Sequence, residues 1–151
     1  MILEHVSITV SDLDRSLRFY CEVFGFRLLR KTTVNAYLYL DDQLLELIQG
    51  DPVTAVPAPE TAQEWHERKW RQVPAVHLGF RVDDIDHALS KIVALGGEVV
   101  VPCVEYTPTI EHVAEVSLEK LRRAAQPIGN PFWRMADVSD PDGVILEILE
   151  R

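Results

Sequence analysis

The sequence predicts an α+β fold in which one β-α-β-β-β unit is written twice within 151 residues. Three observations predict it. EHVSITVSDLD (4–14) lies over VHLGFRVDDID (76–86), with His5 matching His77 at a spacing of 72, Val10 matching Val82 and Asp12 matching Asp84. In each copy the apolar positions first alternate, as in a half-buried strand, then recur every three or four residues, as in an amphipathic helix. Each copy also ends on the same kind of apolar strand around one carboxylate: LLELI around Glu46 and VILEIL around Glu147.

The elements follow in order. Val6, Ile8 and Val10 share one face of the first strand, which turns His5, Ser7 and Thr9 to the other. A helix follows from about Asp12 to Phe24, capped by Ser11 or Asp12 and stopped at Gly25. Phe26–Lys31, Ala36–Leu40 and Leu44–Gln49 complete the first unit, with Asp41-Asp42 as a turn. In the second unit Leu78, Phe80 and Val82 oppose His77, Gly79 and Arg81. A helix opens at Asp83-Asp84 and stops at Gly96-Gly97, and strands follow at Glu98–Val101, Trp133–Val138 and Val144–Leu149. Asp140-Pro141-Asp142-Gly143 is the last turn. The two Glu residues are 101 apart, against 72 for the His pair, so the second unit carries an insertion. The chain thus divides into a first module at 1–50, a Pro-rich linker with a short helix at 51–73, and a second module at 74–151 with its insertion at about 103–131. The helix-like Val113–Ala125 lies in that insertion, and Trp65 and Trp70 lie on the linker helix.

Composition excludes several classes. A net charge of −9 disfavours nucleic acid as a partner. No apolar run approaches membrane-spanning length, and MILEHVSITV lacks the basic start of a signal peptide, so a cytoplasmic protein is expected. Two cysteines, Cys21 and Cys103, are expected as reduced thiols.

An ionised carboxylate on a strand flanked by Leu and Ile is costly unless it is paired or holds a metal. The repeat aligns Glu46 with Glu147 and His5 with His77, and two-fold related halves would bring all four to one cleft. Two imidazoles and two carboxylates suit one divalent ion: Ni, Zn, Co, Mn or Fe.

These motifs resemble the vicinal oxygen chelate superfamily, which includes glyoxalase I, extradiol dioxygenases, methylmalonyl-CoA epimerase and fosfomycin- and bleomycin-resistance proteins. The likeness covers nearly the whole chain, through His5, VSDLDRSLRFYCEVFGF, LLELI, VHLGFRVDDIDHALSKIVALGG and DPDGVILEI. It implies paired βαβββ modules forming a cupped eight-stranded mixed sheet around a metal site, usually in a homodimer. The set His5, Glu46, His77 and Glu147 is most similar to that of glyoxalase I. That implies a lyase or isomerase acting on a small hydroxy-carbonyl compound through a metal-bound enediolate, with Glu147 as general base and Glu46 mirroring it. Thr9 and Gly50 stand where glyoxalase I carries an Arg and an Asn for glutathione, which argues against that cosubstrate. Tyr37, Tyr39 and Arg81 are candidates for lining the substrate cleft. An Fe(II) extradiol-type dioxygenase and a bleomycin-resistance-type ligand-binding protein are the alternative readings.

Overall fold

A computed structural model describes residues 4–51, 78–106, 115, 117–118 and 133–150. The expected linker helix with Trp65 and Trp70, His77, and nearly all of Val113–Ala125 lie outside the described residues. The first unit is β1 (His5–Val10), α1 (Leu13–Phe24), β2 (Arg27–Lys31), β3 (Asn35–Leu40) and β4 (Gln43–Gln49). The second is β5 (Leu78–Arg81), α2 (Ile85–Ala94), β6 (Glu98–Tyr106), β7 (Trp133–Ser139) and β8 (Ile145–Glu150). Among these residues no helix is long and apolar enough to cross a membrane.

The expected repeat is visible in the hydrogen bonding. The strands form two four-stranded mixed sheets in a cupped arrangement, ordered β1-β4-β3-β2 and β5-β8-β7-β6. In each, the first strand runs parallel to the last and the remaining pairs are antiparallel. Asp12 caps α1 through the Arg15 amide, and Asp84 caps α2 through the His87 amide. The first amide of each helix donates to a side chain at the end of its unit's last strand: Leu13 N to Gln49 Oε1 at 2.9 Å, and Ile85 N to Glu150 Oε2 at 2.8 Å. Gly25 ends α1 at φ 78, a conformation that costs a residue with a Cβ more than it costs glycine.

One expected boundary is corrected. The strand expected to stop at Val101 continues to Tyr106, and Val104, Glu105 and Tyr106 pair with Met135, Arg134 and Trp133 of β7. Pro102 cannot donate to a ladder, but β6 is an edge strand and its register shifts between Val101 and Val104, which accommodates the ring.

The inward faces of both sheets pack on the helices. Val10, Phe19, Tyr20, Leu38 and Leu47 of the first unit share one buried cluster with Ile85, Ile92, Val138, Leu146 and Ile148 of the second. Phe24 stacks on Phe80 with ring centroids 4.0 Å apart. A polar clasp joins the units as well. Asp142 accepts from the Ser11 amide at 3.0 Å, Arg15 Nη2 at 2.6 Å and Ser16 Oγ at 3.0 Å, and also from the Ser11 hydroxyl. Tyr20 donates to Asp140 at 2.9 Å. Both cysteines are free thiols.

Candidate functional site

Strand register decides what shares the face turned away from the helices. Paired residues on neighbouring strands point the same way. Glu46 pairs with Ser7 on β1 and with Tyr37 on β3, and Tyr37 pairs with Arg30 on β2. Ser7, Tyr37 and Arg30 therefore join Glu46 on one face, with His5, Thr9, Asn35 and Tyr39 two residues along their strands.

Glu46 is the centre of this group, and only 8% of it is exposed. Ser7 Oγ donates to its Oε2 at 2.7 Å, and Asn35 Nδ2 donates to its Oε1 at 2.8 Å. The Ser7 hydrogen bond does most to hold the carboxyl below its ordinary pKa; burial opposes it, and bonds from Asn35 and Tyr37 and the charge of His5 assist. A carboxylate so placed stays ionised although it is buried. His5 stands beside it. Its Nε2 is 3.5 Å from Glu46 Oε2, longer than a good hydrogen bond, and its Nδ1 is 3.2 Å from the Glu4 carboxylate. Its ring edge meets Tyr37 with centroids 5.5 Å apart.

This pair fits a divalent metal. A ligating imidazole commonly gives its second ring nitrogen to a carboxylate, which is the relation of His5 to Glu4. A ligating carboxylate is itself held by donors, as Glu46 is by Ser7 and Asn35. Each carboxylate oxygen keeps a lone pair beyond the one these bonds use.

The other expected site residues fall as follows. His77 lies outside the described residues. Glu147 stands on β8, half-buried, in register with Gly79 and Asp137. Among the described residues no three of His, Cys, Asp and Glu are grouped so that they could hold a metal ion: His5 and Glu46 are brought together, and Glu147 does not join them. Tyr37 belongs to the His5–Glu46 group. Tyr39 is half-buried on the same face, and Arg81 is exposed on β5 in register with Leu149. The sequence reasoning missed Ser7, Asn35 and Asp137. Ser7 carried a signal, being two residues beyond His5 on one strand face. Asp137 is 2% exposed and shares the face of Glu147, which only the register reveals.

The profile of the glyoxalase/bleomycin resistance protein/dioxygenase superfamily matches residues 2–148. The chain belongs to that superfamily. As one of its members, it is 28% identical over 152 residues to a lactoylglutathione lyase of Haemophilus influenzae, covering 100% of this chain and 93% of that protein. It is 29% identical to the lactoylglutathione lyase of Escherichia coli O157:H7, again over 100% of this chain and 93% of the relative. Among solved structures it resembles a superfamily enzyme from Burkholderia phytofirmans, with a TM-score of 0.60 and 16% identity over 99% of this chain and 98% of that one. It also resembles the fosfomycin resistance protein FosX of Mesorhizobium loti, with a TM-score of 0.60 and 18% identity over 100% and 94%. At such identities the solved structures speak for the superfamily fold alone.

Proposed function

We propose that this chain is a metal-dependent, glyoxalase-like lyase or isomerase acting on a small hydroxy-carbonyl compound, with His5, Glu46, His77 and Glu147 as the metal ligands. The observation that carries the reading is the buried, ionised Glu46, held by Ser7 and Asn35 with His5 Nε2 at 3.5 Å. Relatives named lactoylglutathione lyase along the full chain support the reaction class. One divalent ion (Ni, Zn, Co, Mn or Fe) would supply the Lewis acidity that makes a carbon next to the carbonyl acidic.

The chain's own residues divide the remaining work. Glu46, clamped by short hydrogen bonds and with its basicity lowered, suits a fixed ligand. Glu147 suits the general base, which takes the proton from one carbon and returns it to its neighbour. Gly79, its partner in register, puts no side chain beside it, and a Cβ there would meet nothing within 4 Å. Tyr37 meets the His5 ring edge to face, Tyr39 shares the face of Glu46, and Arg81 shares that of Glu147.

Glutathione is not part of the proposal. The two positions that differ from glyoxalase I, Thr9 and Gly50, pack against each other: a Cβ on Gly50 would stand 3.0 Å from Thr9 Cγ2. A side chain at 50 would press on the Thr9 methyl, which would have to shift by a few tenths of an ångström. The working assembly is proposed to be a homodimer, checked by sedimentation at micromolar protein.

The deciding experiment measures metal content and proton exchange in the same samples. Wild type should hold about one divalent ion per chain and exchange the carbon-bound proton of hydroxyketones in heavy water. Glu147→Gln should keep its ion and lose exchange by about 10²–10⁴-fold. Full exchange in Glu147→Gln with no exchange in Glu46→Gln would reverse the two assignments. Normal exchange in both variants would remove the ligand carboxylates from the chemistry. Oxygen uptake with catechols would favour the dioxygenase reading.

A further inference from the structure

We propose that Arg30, flanked by Arg27, binds an anionic group of the substrate, a carboxylate or a phosphate, beside the His5–Glu46 site. The inference rests on the reading of that site given above and adds the charge of what enters it.

The sequence RLLRK hides this arrangement. In a regular strand residues three apart face opposite ways. Here the register shifts between Leu28 and Arg30: Arg27 pairs with Tyr39, Leu28 with Leu38, Arg30 with Tyr37 and Lys31 with Ala36. The bulge at Leu29 re-aims the strand, so both arginines lie on the face of Tyr37 and Tyr39. Lys31 goes to the opposite face, where it meets Asp14 of α1. The result is a row across the sheet in which Arg30, Tyr37, Glu46 and Ser7 are successive partners.

Arg30 is pre-positioned and its donors are unspent. Its guanidinium carbon lies 4.1 Å from the centroid of the Tyr37 ring. Stacking uses the face of the guanidinium and leaves its edge, with the planar fork of N–H groups, for a carboxylate or phosphate. In a chain of 24 acidic and 15 basic residues, exposed cations commonly find acids, as Arg18 does with Glu22 and Arg134 with Asp86. Among the described residues neither Arg27 nor Arg30 has a hydrogen-bond or ion-pair partner.

The position sets the geometry of the ligand. Contacts of 4.1 Å from Arg30 to Tyr37 and 5.5 Å from Tyr37 to His5 link the cation to the ligand imidazole. β2 is two strands from β4, or about 10 Å across the sheet. The reacting head at His5 and Glu46 and the anionic group at Arg30 are therefore separated by several bonds. A small neutral compound would leave the arginine unused.

Calorimetric titration of the full chain, purified without chelators, tests this. The probes are hydroxyacetone, δ-hydroxylevulinate and dihydroxyacetone phosphate, with succinate and inorganic phosphate as anions that lack the reacting head. Wild type should bind at least one anionic hydroxyketone about 10- to 100-fold more tightly than hydroxyacetone. Arg30→Gln should abolish that preference and leave hydroxyacetone unchanged; the side chain is exposed, and a thermal melt checks that the fold is intact. The better of the carboxylate and phosphate probes identifies the anion. Equal binding of neutral and anionic probes, or a preference that survives in Arg30→Gln, overturns the proposal. So does an equal loss for all probes. If the simple anions bind in an Arg30-dependent way while hydroxyacetone fails, the anion subsite stands and the hydroxy-carbonyl reading falls.

Discussion

Asp142→Asn should loosen the join between the two repeats, and the structure sets the size of the effect. The Asp142 carboxylate is 7% exposed and accepts from the Ser11 amide and hydroxyl, from Ser16 Oγ and from Arg15 Nη2. A hydrogen bond to a charged group contributes about 1.5–3 kcal/mol, but such values do not add within one network. The Arg15 side chain is 43% exposed, so solvent screening discounts its share. Asparagine keeps the shape and one acceptor while losing the charge, which places the loss at about 2–4 kcal/mol at neutral pH. The pH dependence has a definite sign. Burial works to raise the Asp142 pKa, but the bonds from Ser11, Arg15 and Ser16 outweigh it and hold it below the ordinary value of 3.8. The stabilisation is therefore complete above that value and is lost as pH falls below it, through the folded pKa. Neighbouring Asp140 runs the other way, because burial holds its pKa above the ordinary value. The difference between wild type and Asp142→Asn isolates the first effect. Urea melts at pH 7 and near pH 3 measure it, and the gap should shrink at the lower pH. A variant within about 0.5 kcal/mol of wild type at pH 7, or a gap that does not change with pH, would refute this account of the clasp.

Two further predictions test the core and the metal site. Gly97→Ala should cost about 1–3 kcal/mol in a urea melt, because the new Cβ would collide with the Ser139 backbone carbonyl oxygen, which cannot yield, and stand 2.7 Å from the Ile92 side-chain Cγ2. Ser7→Ala should weaken binding of a divalent ion by about 10- to 100-fold in a competition titration, because it removes the bond that does most to keep Glu46 ionised. Unchanged affinity in Ser7→Ala would mean that Glu46 is not a ligand.

Much of the fold was legible because the repeat states each signal twice. The Asp12 and Asp84 caps, the Gly25 stop and the alternation in β1 are local rules, and the structure places α1 and α2 within a residue or two of the expected bounds. The miss at β6 came from Pro102, which by itself argues against a strand. Only pairing with β7 shows that the ladder bulges around it, and pairing is not local.

The site was legible in proportion to how much of it lay on single strands. His5 and Glu46 could be found because each is a polar residue in an apolar pattern, and the repeat gave each a counterpart. What holds them could not be found that way. Ser7, Asn35 and Tyr37 reach Glu46 across three strands, and sequence spacing carries no register between β1, β3 and β4. The same register separates the two halves chemically. Glu46 faces Ser7 and Tyr37, whereas Glu147 faces Gly79 and Asp137. Symmetry of the strands thus coexists with asymmetry of the register partners, Ser7 and Tyr37 beside Glu46 and Gly79 and Asp137 beside Glu147. Sequence spacing gives the two carboxylates matching places in the repeat, and only the register shows that their neighbours differ.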